Sequence, residues 1–184
     1  MKTHKKGRYA DMQRRYFLYA SAGLIAALFL SPKDMVFADH GEIEKMTLSK
    51  DEWEKRLTPE QFRVLRKEGT EPSGTSPLNN EKRKGTYVCA GCGLDLFSSD
   101  MKYDSGTGWP SFFDTIEGHV ETSTDFKLLY PRTEYHCARC GGHQGHVFKD
   151  GPKPTGLRYC NNGVALKFVP AEAKTGEEIK EKTE

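Results

Sequence analysis

Cys89-Ala90-Gly91-Cys92-Gly93 and Cys137-Ala138-Arg139-Cys140-Gly141 are the same short device written twice. In each, two residues separate the thiols and a glycine follows the second. The turn aims both sulfurs at one point, and the glycine lets backbone amides come close to them. Two such knuckles supply four thiolates, the tetrahedral set a structural Zn²⁺ takes at about 2.3 Å per Zn–S bond. The stretch between them is longer than a zinc-finger spacing, so it has to fold into strands that bring its two ends together. Two separate C-x-x-C disulfides or redox pairs are the alternative. That arrangement needs a helix after the first pair, whereas Leu94, Leu96 and Phe97 read as a strand. One structural zinc ion is therefore expected on Cys89, Cys92, Cys137 and Cys140, worth on the order of 10 kcal/mol in a small domain.

Outward from the knuckles the pattern is β. Short apolar segments broken by Gly and Pro at 86–88, 94–97, 119–123, 130–136, 146–148 and 164–169 predict strands. Two short helices precede them. Ser49-Lys50-Asp51-Glu52 has the form of a capping box, with Trp53 and Leu57 on one face. Thr58-Pro59-Glu60-Gln61 starts a second helix, with Phe62 and Leu65 on one face and Gly69 as its stop. Residues 70–85 read as a polar loop, and 171–184 as a charged, frayed tail. Helices followed by strands indicate a mainly β, α+β domain over 48–170, not a doubly wound sheet.

The chain of 184 residues carries 28 Lys+Arg against 26 Asp+Glu, a formal +2. Residues 1–38 hold seven basic and two acidic residues, which leaves the remainder at −3. An acidic body excludes a nucleic-acid surface, which needs a concentrated excess of Lys and Arg. The basic start leads through Arg14-Arg15-Tyr16-Phe17-Leu18 into an apolar run ending at Leu30. That run is about half of what a spanning helix needs and fits the hydrophobic region of a signal peptide. Val36-Phe37-Ala38 supplies a cleavage site, leaving 39–47 as a linker. The Arg pair resembles a twin-arginine export signal. Export by that machinery places the folded domain in a bacterial periplasm, or anchors it to the membrane if the signal stays uncut. An ordinary secretory signal is the alternative.

Cys160 is the fifth cysteine, in Arg158-Tyr159-Cys160-Asn161-Asn162-Gly163. A lone cysteine is usually a small buried apolar residue. Arg158, two residues earlier, projects to the same side of a strand and favours thiolate, while Asn162 offers a side-chain amide to a polar substrate atom. Gly142-His143-Gln144-Gly145-His146-Val147-Phe148 puts two imidazoles directly after the second knuckle. They suit proton transfer, although metal ligation and plain surface histidines are open alternatives. In Tyr103-Asp104-Ser105-Gly106-Thr107-Gly108-Trp109-Pro110-Ser111-Phe112, the glycines around Trp109 present either a core tryptophan or an aromatic face for an S-methyl group.

Together, C-x-x-C, S-G-T-G-W-P-S-F, C-x-x-C-x-x-H-x-G-H-V-F and R-Y-C-x-N resemble the B-type methionine sulfoxide reductases from about Leu48 to Pro170. The resemblance implies two twisted antiparallel sheets with short N-terminal helices and a structural zinc on the four knuckle cysteines. It implies reduction of the R epimer of methionine sulfoxide, chiefly in oxidised proteins, as repair of oxidative damage. Cys160 would be the nucleophile, and His143 and His146 would assist proton delivery. Asn162 would position the oxygen, Trp109 would hold the methyl group, and Phe148 and Arg158 would complete the surroundings. The partners implied are oxidised proteins and a thioredoxin-like or other thiol reductant, acting on a monomer.

Two positions depart from the family. Many members carry a second cysteine just before Gly-Trp-Pro that resolves the Cys160 sulfenic acid; here Thr107 stands there. Regeneration then falls to an external thiol or to a zinc-bound cysteine. Asn161 stands where an apolar residue is expected. A non-catalytic zinc-ribbon interaction module is the competing function, and a metalloenzyme built on His143, His146 and either His136 or His119 is a third.

Overall fold

The computed structural model describes residues 43–126 and 131–172. The expected export signal at 1–38 and residues 173–184 of the expected tail lie outside the described residues, as do Tyr130 and the first part of the linker. Among the described residues no helix is long and apolar enough to cross a membrane.

Helix α1 (Lys50–Arg56) begins with the capping box read from the sequence. The Ser49 hydroxyl accepts from the Glu52 N–H at 3.3 Å, and the Glu52 carboxylate takes the Ser49 N–H at 2.7 Å. Helix α2 (Pro59–Lys67) repeats the box with Thr58 and Gln61. Its stop differs from expectation. Glu68, not Gly69, takes the left-handed conformation, at φ 52°. Gly69 is required for another reason, since a Cβ there would stand 2.9 Å from the Arg63 carbonyl.

Among the described residues nine strands follow: β1 (Gly85–Cys89), β2 (Asp95–Ser98), β3 (Lys102–Tyr103), β4 (Ser111–Phe112), β5 (Val120–Asp125), β6 (Arg132–Cys137), β7 (His143–Phe148), β8 (Arg158–Asn161) and β9 (Leu166–Pro170). They form two antiparallel sheets, a three-stranded one ordered β2-β1-β9 and a six-stranded one ordered β3-β4-β8-β7-β6-β5. The fold is thus mainly β with two short leading helices. Strands β3 and β4 are absent from the sequence expectation, and β8 enters it only through the strand assumed in placing Arg158 beside Cys160. The first two are two residues long, and β8 lacks an apolar alternation. The segment expected at 164–169 begins instead as a 3₁₀ turn, Gly163–Ala165, and 70–85 contains another at Pro77–Asn80.

An aromatic cluster joins the sheets. Phe97 of β2 stacks on Phe112 of β4 at 4.0 Å, and Tyr87 of β1 meets the same ring edge-on at 5.0 Å. Tyr135 of β6 and Tyr159 of β8 extend the cluster, with ring centroids 5.3 Å apart. Offset and edge-to-face pairs of this kind add to the area they bury. Asn161 reaches into the same interior and is fully buried, which accounts for a polar residue at that position. The Tyr135 hydroxyl donates to its Oδ1 at 2.6 Å, and its Nδ2 donates to the Asn162 carbonyl at 2.7 Å.

Candidate functional site

The two knuckles are duplicates in space as well as in sequence. Cys89 ends β1 and Cys137 ends β6. Cys89 N–H donates to the Leu94 carbonyl at 2.8 Å, and Cys137 N–H to the Gly142 carbonyl at 2.9 Å. Gly93 and Gly141 turn back on their own first cysteines with 2.9 and 2.8 Å bonds, at φ 77° and 64°. Only glycine takes that conformation without strain.

The close sulfur approaches run between knuckles, Cys89 to Cys140 at 3.7 Å and Cys92 to Cys137 at 3.4 Å, and all four ligand atoms lie within 4.8 Å of one another. A disulfide needs about 2.05 Å. A tetrahedron of sulfurs around zinc at about 2.3 Å has edges of about 3.8 Å. The spacing and the soft, all-sulfur donor set fit one zinc ion. The helices close over this site. Arg56 donates to the Gly91 carbonyl at 2.7 Å and Arg66 to the Cys140 carbonyl at 2.8 Å, while Trp53 and Leu65 cover Gly91.

Cys160 lies in the middle of β8, opposite Ser111 of β4 and His146 of β7. Gly145 permits that pairing, because a Cβ there would fall 1.9 Å from the Cys160 carbonyl. Cys160, His146, Asn162, Trp109 and Phe148 line one cleft of about 130 Å³, joined by Arg132 and Thr70. Arg158 lies against this group. Its guanidinium sits 4.2 Å over the Phe148 ring and holds Asp150 with two bonds of 2.9 Å.

His143 does not line the cleft. It is 2% exposed, and its Nδ1 bonds the Glu134 carboxylate, which also meets His136 Nε2 at 2.9 Å. Its ring lies 5.5 Å from that of His146. Residues three apart on a regular strand point to opposite faces. A bulge brings these two onto one face, since Tyr135 pairs with Gly145 while His136 pairs with His143, leaving Gln144 extra.

Burial pushes the Cys160 thiol up, against the Arg158 charge and hydrogen bonds from Thr107 and Arg158. Arg158 acts in the direction the sequence suggests, but desolvation outweighs it. Burial also lowers the His143 imidazole, outweighing the pull of Glu134, a shift toward the neutral form. His146 Nε2 meets Asp125 at 2.9 Å, and Arg132 holds the same carboxylate oxygen at 2.5 Å.

Sequence reasoning misses Glu71, inside the segment read as a plain loop. Its main-chain N–H donates to Asn162 Oδ1 at 2.9 Å and its carbonyl accepts the Trp109 indole N–H at 3.0 Å. Its buried carboxylate takes the N–H groups of Gly163 at 2.5 Å and Val164 at 3.0 Å. One residue thus orients two sides of the cleft. Asp125, Glu134 and Gln144 are missed as well. A carboxylate or amide in a strand carries no sequence signal until its cross-strand neighbour is known.

A family description, SelR domain, matches residues 57–170. The peptide methionine sulfoxide reductase MsrB of Leptospira interrogans is 56% identical over 121 residues, covering 65% of this chain and 92% of the relative. That of Methanosarcina barkeri is 54% identical over 132 residues, covering 71% and 93%. The chloroplastic peptide methionine sulfoxide reductase B1 of Arabidopsis thaliana is 48% identical over 143 residues, covering 77% and 71%. With more than half of its length in the SelR domain and relatives at this identity matched along most of theirs, the chain belongs to the methionine sulfoxide reductase B family.

Proposed function

We propose that the protein reduces the R epimer of methionine sulfoxide, chiefly in oxidised proteins, with Cys160 as the nucleophile. The observation that carries this reading is the convergence of Cys160, His146, Asn162 and Trp109 on one small cleft. At about 130 Å³ it is well below the 300 Å³ or more of a typical ligand pocket. It suits a side-chain tip and leaves a peptide backbone outside.

A sulfoxide sulfur becomes electrophilic as its oxygen takes a proton. Cys160 Sγ attacks that sulfur, the oxygen is transferred to Cys160 with the protons needed, and methionine leaves. The thiol is oxidised to a sulfenic acid and the sulfoxide is reduced. A first external thiol converts the sulfenic acid to a mixed disulfide and water. A second frees Cys160 and leaves as the reductant's disulfide. His146, held by Asp125, is the proton carrier nearest the thiol, with His143 behind it. Asn162 spends one amide hydrogen on the Gln144 carbonyl at 3.0 Å and has a second for the sulfoxide oxygen. Trp109 receives the methyl group by sulfur–aromatic contact. Three fixed contacts on one tetrahedral sulfur select one hand. Cys89, Cys92, Cys137 and Cys140 would hold a zinc ion, whose contribution would be structural.

Purified protein with dithiothreitol and the separated epimers tests the reading. Turnover of R alone, lost in Cys160→Ser, is expected; turnover of neither epimer, or turnover that survives the substitution, refutes it. The zinc-ribbon module predicts no dependence on Cys160, and no observation favours it.

Residues 1–38 form, in this proposal, a twin-arginine signal that carries the folded monomer to the periplasm. Thioredoxin-like thiols reduce it there. Replacing Arg14 and Arg15 by lysines should strand the enzyme in the cytoplasm, and normal export would dismiss the route.

A further inference from the structure

Gln144 takes no part in the chemistry above, yet it bonds to both halves of the molecule. It is the extra residue of the β7 bulge and is fully buried. Its Nε2 donates to Cys89 Sγ at 3.5 Å and points at the Gly142 carbonyl at the same distance. Its Oε1 has no partner among the described residues. Its main-chain carbonyl accepts both the Asn162 N–H, at 2.8 Å, and Asn162 Nδ2, at 3.0 Å.

We propose that Gln144 is a positioning residue of the metal site, the outer hydrogen-bond donor to the Cys89 thiolate, and that it passes that site's geometry to Asn162. The proposal rests on zinc occupying the four cysteines. A metal-bound thiolate only accepts hydrogen bonds, so the amide has to present its N–H side to sulfur. Four thiolates on one divalent ion leave two negative charges in a largely buried site, and each N–H aimed at a sulfur draws some of that charge off. A leucine of similar size would fill the space without leaving a buried oxygen unpaired, so the amide's gain has to come from its N–H contacts with the Cys89 sulfur and the Gly142 carbonyl. Placing this side chain at a bulge frees it from the strand's alternation, while its carbonyl stays in line to hold Asn162.

The test uses the zinc-loaded chain with Gln144→Met and, as a second shape, Gln144→Leu. Both retain the main-chain carbonyl. Zinc release to a colorimetric chelator under dilute peroxide should be about 10–100-fold faster in the variants, the usual scale for loss of an outer-shell partner. In the Co²⁺-substituted proteins the thiolate-to-metal charge-transfer band should move to lower energy, because a thiolate without its hydrogen bond gives up charge more readily. Hydrogen exchange at the Asn162 amide should quicken at equal zinc content. Faster release with an unmoved band would assign the effect to packing and overturn the donor role. Unchanged exchange at Asn162 would overturn the link to the cleft. A parent chain that carries no zinc would remove the zinc reading and this inference together, whereas a zinc-loaded parent matched by its variants in all three readouts would sink the inference alone.

Discussion

Cys137 and Cys160 belong to the same sheet, on β6 and β8 with only β7 between them. Cys137 sits in a tight turn, its N–H tied to Gly142 and its sulfur 3.4 Å from Cys92. Cys160 sits in mid-strand, half-buried in a cleft, with the Arg158 charge acting to favour its thiolate. The turn converges several sulfurs on a point, where a divalent cation would offset part of their charge. The strand isolates one sulfur and leaves its charge to burial and a nearby guanidinium. The backbone sets the two thiols apart, one clustered with three other sulfurs and one alone in a cleft.

The sharpest way to break this contrast is to exchange one sulfur for oxygen in each place. Cys137→Ser should lose zinc and with it about 10 kcal/mol, enough to unfold a domain of this size. Cys160→Ser should keep its zinc and its Tm while turnover disappears. Elemental analysis, thermal melting and activity on the two variants would check this, and loss of zinc from Cys160→Ser would undo the separation.

Glu71 tests how independent the cleft is of its supports. Glu71→Ala should strip the buried Gly163 N–H and the part-buried Val164 N–H of their acceptor, at a cost of about 2–3 kcal/mol, and lower kcat/KM by loosening the turn after Asn162. Zinc content should not change. Denaturant unfolding and steady-state kinetics give the two numbers.

A smaller effect is expected behind the catalytic strand. Tyr135→Phe leaves Asn161 Oδ1 without its donor and should cost about 1–3 kcal/mol. Adding Asn161→Val should return much of that, because an apolar pair no longer needs the bond. A double-mutant cycle measures the coupling.

The mildest change concerns charge alone. Because burial raises the Cys160 thiol, alkylation by iodoacetamide should keep climbing with pH beyond the ordinary thiol value of about 8.5. Arg158→Met removes a charge that favours thiolate, so alkylation at neutral pH should slow severalfold and the inflection should move to higher pH. An unshifted profile would leave Arg158 with only its bonds to Asp150.

Local chemistry carries what the sequence reveals here. The capping box at Ser49, the helix start at Thr58 and the paired knuckles are written in residues no more than five apart, and the two helices and the four-cysteine cluster form as read. The cleft is less legible because β4 and β8 are held by neighbours far along the chain. Ser111 opposite Cys160, Gly145 opposite Asn161 and Glu71 under Asn162 are long-range pairings. Asn161 reads as an anomaly until Tyr135 is seen beside it. The bulge that aligns His143 with His146 leaves no mark except a glycine two residues on.

The order of the five cysteines along the chain has a consequence for biosynthesis. All four knuckle cysteines precede Cys160, so a ribosome releases a complete ligand set before the reactive thiol emerges. The strand β9 that closes the smaller sheet comes later still, pairing with β1. Metal capture during translation would hide four sulfurs from the fifth and so remove its mispairing partners. Metal capture at that stage would make the linear order a timetable against scrambled disulfides.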